Sequence, residues 1–149
     1  MKKLIISILL ILLPVFLSAQ AMLYGVAAEI ETLLNEPAVT CDQAAKFVLN
    51  SAGAEYQGGA FEYAASKGWL KKAAANDRIT MGQLSFLIMK TFDLRAGIMY
   101  AIFPGQRYAY RSMVSRSFIQ GICDPAMTVS GENFLLILGK VLSAQGGEQ

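Results

Sequence analysis

One local pattern occurs three times and constrains the fold more than any other feature. Val39-Thr40-Cys41-Asp42-Gln43, Ile79-Thr80-Met81-Gly82-Gln83 and Val129-Ser130-Gly131-Glu132-Asn133 each place a β-branched apolar residue before a hydroxyl residue, with Gln or Asn three positions on. The first two fit the capping box, in which the hydroxyl accepts the N3 backbone N–H and the N3 side chain accepts the N-cap N–H. Asn133 is short for that reciprocal bond, but Ser130 still serves as a cap. Thr40, Thr80 and Ser130 are therefore expected to start helices. Val39, Ile79 and Val129 are expected to pair with Ala44, Leu84 and Phe134 at N4 as hydrophobic staples.

The agreement continues down each helix. Positions four, seven, eight and twelve beyond the cap are Ala44, Phe47, Val48 and Ala52, then Leu84, Leu87, Ile88 and Phe92, then Phe134, Ile137, Leu138 and Leu142. All are apolar and share one helical face. The caps lie 40 and then 50 residues apart, a spacing found in helical repeats.

Each capped helix follows another apolar segment. Phe61 to Leu70 predicts a short helix stopped at Gly68, glycine being the usual left-handed residue there. Tyr108 to Ile119 holds the matching place before the third cap. Ahead of the first, Ile30, Leu33 and Leu34 have helical spacing, and Asn35-Glu36-Pro37 ends that segment because a residue before proline is pushed out of the helical region. The expected fold is all-α: three helix-loop-helix units over residues 22–53, 60–94 and 105–144, sharing one core in a compact domain. Residues 145–149 are expected to be a disordered tail. Gly97 to Gly105, "GIMYAIFPG", accounts for the longer second spacing. Packing over the core between the second and third units is its favoured role; contact with a membrane or partner is the alternative.

The N terminus has a different character. Lys2 and Lys3 precede an apolar run from Leu4 to Leu17, broken by Pro14, and Ser18-Ala19-Gln20-Ala21 then offers small residues for cleavage. The run is shorter than the roughly 20 residues of a membrane-spanning helix, and the layout is that of a secretory signal over residues 1–21. Retention as an N-terminal anchor is the alternative. Without Lys2 and Lys3 the chain has 11 basic and 11 acidic residues, a balance that gives no reason to expect a nucleic-acid partner. In an exported chain Cys41 and Cys123 form a bridge or remain two buried thiols.

The closest sequence of motifs, Ala64-Ala65-Ser66-Lys67-Gly68-Trp69-Leu70 followed by Ile79-Thr80-Met81-Gly82-Gln83-Leu84, resembles the repeats of the S-layer homology family. Those repeats place an I-T-R-A-E helix start after a short helix ending in a Gly-aromatic or Gly-aliphatic turn. The resemblance covers nearly all of residues 22–144 in degenerate form. It implies a bacterial envelope protein in the periplasm or at the cell envelope, with three repeats in a pseudo-threefold helical domain that binds cell-wall polysaccharide. Cys41, Met81 and Gly131 stand where that family has the arginine that helps to hold an anionic sugar, and Gln43, Gln83 and Asn133 replace its glutamate.

The residue inventory excludes much chemistry. There is no histidine, which removes Ser-His-Asp and Cys-His catalysis and the commonest zinc ligand. No enzymatic activity, cofactor or metal is expected. The binding candidates are Arg107, Tyr108, Tyr110, Arg111 and Arg116, in a stretch without acidic residues between Asp93 and Asp124. Arg107 and Arg111 are four apart on one helix face. Arginine forks suit carboxylate or phosphate, and tyrosines suit a sugar or protein surface. A solvated basic face with half-buried tyrosines is the plainer and favoured alternative. Trp69 either meets a sugar ring or, as favoured, plugs the core beneath a turn. The expected role is attachment to peptidoglycan or an associated polymer, with an interaction subunit of an envelope complex as the alternative.

Overall fold

A computed structural model of the chain describes residues 25–95, 97–121 and 124–147. The expected signal segment, residues 1–21, and Cys123 lie outside them. The chain divides into two units, Met1–Asn35 and Glu36–Gln149. In the first, residues 25–34 are helical (α1), and Asn35 Nδ2 donates to the Glu31 carbonyl at 2.9 Å at the helix end.

The second unit holds α2 (Cys41–Ser51), α3 (Ala60–Ser66), α4 (Met81–Thr91), α5 (Ile98–Ile102), α6 (Gln106–Ser115) and α7 (Gly131–Gly146). The fold is all-α, with no strand among the described residues. Thr40, Thr80 and Ser130 are the N-caps of α2, α4 and α7. The first two form complete boxes: Thr40 N and Thr80 N each donate to the following Gln Oε1 at 2.9 Å, and Gln43 N and Gln83 N donate to the threonine hydroxyls. At Ser130 only the Asn133 N–H bond is present, long at 3.4 Å.

The residues before the caps meet each other. Val39 N donates to Val129 O (2.8 Å), Val129 N to Ile79 O (3.2 Å), and Ile79 N to Val39 O (2.9 Å), closing a cycle of three backbone bonds. The first N–H of each helix is likewise satisfied by a neighbouring segment: Cys41 by Asp77 O, Met81 by Met127 O, and Gly131 by Glu36 O. Three helix starts are thus bonded head to head, with Val39, Ile79 and Val129 fully buried at the centre. Burial without these bonds would leave orphaned donors at every helix start.

Four helices end alike. At the end of α3, Gly68 (φ +74°) donates to Ala65 O and Trp69 to Ala64 O, the Schellman arrangement. The same pair of bonds follows α6, where Ser117 (φ +61°) takes the glycine position and Phe118 that of Trp69. Gly53 after α2 and Asp93 after α4 also adopt the left-handed region.

Helix α4 packs on both α2 and α6. Its buried residues include Leu84, Leu87, Ile88 and Met89, so its nearly continuous apolar run reflects burial on several sides. Of the twelve face positions, Phe47 and Ala52 are half buried and Leu142 is exposed. Residues 142–147 are all exposed, so α7 has by then outrun the core. Gln145 and Gly146, expected in a disordered tail, extend α7, and Gln145 Nε2 reaches the Phe92 carbonyl at 3.3 Å. The segment around α5 departs further from the favoured packing role: only Tyr100 is buried, and Ile98, Met99, Ile102 and Phe103 face solvent. A five-residue helix offers one side to α4, and Tyr100 occupies it, edge-on to Phe86 at 6.3 Å.

Candidate functional site

A cleft of about 640 Å³ opens where the start of α4, the first turns of α6 and the 124–126 turn converge. Gly82 sets how closely they approach. A Cβ there would lie 3.2 Å from Pro125 O and 3.5 Å from Gln106 Cβ, so a larger residue would push the walls apart. The turn is held by Asp124, whose Oδ1 accepts Ala126 N at 2.8 Å and whose carbonyl accepts Met127 N. Across from it α6 starts after Gly105 and projects Arg107, Tyr110 and Arg111 into the lining. Their i, i+3, i+4 spacing places them on one helix face.

A helix N-terminus lines the same cleft, but its donors are committed. Met81 N bonds Met127 O, Gly82 N bonds Pro125 O, and Gln83 N bonds Thr80 Oγ1. The backbone is therefore closed to an anion that would otherwise seat at such an end. Recognition falls to side chains. Arg107 and Arg111 are exposed, and neither guanidinium has an ion-pair or hydrogen-bond partner among the described residues. Two planar forks one helical turn apart can grip carboxylate or phosphate oxygens in a bidentate manner. Asp124, on the far wall, adds an acceptor for hydroxyl groups. Among the described residues no cluster of three or more His, Cys, Asp or Glu could hold a metal.

The other sequence candidates lie elsewhere. Tyr108 borders a separate groove between α5 and α6, which Arg111 also reaches. Arg116 caps the end of α6, where the left-handed turn at Ser117 carries it away, and its guanidinium donates to the Arg95 carbonyl. Trp69 is half buried, edge-on to Tyr63 at 6.0 Å, with the Tyr56 ring tilted against Tyr63 at 5.8 Å and Lys67 over the Tyr63 ring. Cys41 is a buried free thiol pushed up to about 11 by burial and, secondarily, by the Asp77 charge.

Sequence reasoning missed Gly82, Gln106, Asp124 and Pro125 as parts of the cleft. The available signal was Gly82 inside a helix start, where an absent side chain marks a close approach. The chain matches no protein-family model, and no curated protein or solved structure shows significant similarity to it.

Proposed function

We propose that this is an exported, non-catalytic binding module of the bacterial envelope, built on S-layer-homology-like repeats, whose cleft holds an anionic cell-wall polymer such as peptidoglycan. The observation that carries this reading is the pair of guanidinium groups, Arg107 and Arg111, without a partner among the described residues, beside Tyr110 in a cleft whose backbone donors are already used. The cyclic bonding of Val39, Ile79 and Val129 supports a threefold repeat. Cys41, Met81 and Gly131 are all buried at the first helical position, so these sites have no room for a solvent-facing arginine. In this chain α6 supplies the cations instead.

Titration calorimetry with soluble wall fragments bearing carboxylate or phosphate tests the assignment. Arg107→Gln and Arg111→Gln should each weaken binding about tenfold, the loss of roughly one charge-assisted hydrogen bond. Unchanged affinity in both variants would remove these residues from the site.

The exposed apolar side of α5 favours a second reading, an interaction subunit of a membrane-associated envelope complex. The two readings use different surfaces and can be tested separately.

A further inference from the structure

The segment between α4 and α6 presents an apolar face that none of the described residues covers. Ile98, Met99, Ile102 and Phe103 are 78, 51, 59 and 60% exposed, whereas Tyr100 between them is 8% exposed. Positions i, i+1 and i+4 fall on one side of a helix, so Ile98, Met99 and Ile102 form a stripe, and Phe103 follows it as the exposed C-cap residue. Tyr100 fastens the other side. Its ring meets Phe86 edge-on, and Lys90 Nζ lies 5.6 Å from its centroid. The stripe is therefore held outward by a packed anchor. A contiguous apolar patch of this kind marks a contact surface.

The charge around the stripe selects its occupant. Lys90 lies beside the Tyr100 ring that anchors the stripe, and Asp93 is the acidic charge that acts on Tyr100. Arg111 borders the same groove as Ile98 and Met99, so a cation stands at the edge of the apolar stripe. Apolar side chains with a basic border match the boundary between headgroups and acyl chains of an anionic bilayer. A fluid lipid layer also closes around a short projecting stripe without a preformed groove to receive it.

We propose that α5 is a membrane-docking wedge: Ile98, Met99, Ile102 and Phe103 enter an anionic lipid surface while Arg111, at the edge of the stripe, faces its phosphates. The proposal rests on the apolar stripe, and Arg111 is the residue it shares with the cleft.

The test uses the protein as purified after export, with Ile102→Trp as a local reporter against the wild-type Trp69 background. Ile102 is exposed, and an unchanged unfolding midpoint verifies that the variant folds. Vesicles of phosphatidylcholine containing about one-third phosphatidylglycerol should shift the added emission to the blue and allow its quenching by brominated acyl chains. Partition into these vesicles should exceed that into pure phosphatidylcholine by about fivefold, the contribution of one arginine near an anionic surface. Ile98→Ser with Phe103→Ser should reduce partition about thirtyfold and leave the unfolding midpoint unchanged. Emission unaltered at high lipid overturns the proposal. So does partition that ignores the double serine variant, or a blue shift produced by envelope protein and not by lipid.

Discussion

Removing the capping hydroxyls one at a time should give unequal losses, in an order set by the bonds each cap makes. Thr80→Val keeps the shape of the side chain while deleting an acceptor for Gln83 N and a donor to Gln83 Oε1. It also frees Gln83 from half of its reciprocal box, at a helix start packed against the 125–127 turn. N-cap deletions cost about 0.5–2 kcal/mol, and the doubled bonding places Thr80→Val near the top, at about 1.5–2 kcal/mol. Thr40→Val should match it, because its bonds to Gln43 have nearly the same lengths. Ser130→Ala removes one 3.4 Å bond beside an exposed Asn133 and should cost only about 0.5–1 kcal/mol. Urea unfolding followed by circular dichroism reads all three, with a constant m-value showing that stability alone has changed. In a thermal scan the threonine variants should lose about 5–10 °C, at roughly 3–5 °C per kcal/mol for a domain of this size. If Ser130→Ala proves the most damaging of the three, the assignment of helix-start stability to the boxes is wrong.

Other substitutions test separate parts of the account. Ser117→Gly should stabilise by about 1 kcal/mol, since a non-glycine residue there bears the cost of the left-handed region; a lower melting temperature would contradict the Schellman assignment. Tyr100→Phe should be neutral or stabilising by up to about 1 kcal/mol, because the buried hydroxyl has no hydrogen-bond partner among the described residues. A loss above that size would show that the hydroxyl has a partner. Gly82→Val should push the cleft walls apart and weaken polymer binding more than it lowers stability, measured side by side by calorimetry and urea unfolding. In the reduced protein, Cys41 holds its proton more tightly when folded than when unfolded. Its contribution is therefore complete below about pH 9 and is lost as pH rises towards 11, a fall of order 2–3 kcal/mol. Cys41→Ala should flatten that decline.

The local devices were legible because each is written in consecutive residues. Thr40-to-Gln43 and Thr80-to-Gln83 specify their boxes by spacing alone, and Gly68 announces the end of α3. Ser117 was less visible, since serine carries no conformational signature, yet it adopts the same left-handed turn. The cycle joining Val39, Ile79 and Val129 links residues 40 to 90 positions apart, and periodicity does not encode such pairing. The site was legible in part for the same reason. Helical spacing groups Arg107 and Arg111, but Tyr108, read together with them, turns to the other groove, and Asp124 and Pro125 join the cleft only through the folded turn. Around α5 the apolar count suggested burial. Helix length decided otherwise, because five residues could bury only Tyr100.

The most direct measurement is retention of the protein on purified cell-wall sacculi across a salt series, for wild type and for Arg107→Ala combined with Arg111→Ala. The account predicts firm retention at low salt, progressive release as salt screens the charge pair, and a loss of about thirtyfold or more in the double variant. Absence of wild-type retention at low salt, or equal retention by the double variant, would contradict it.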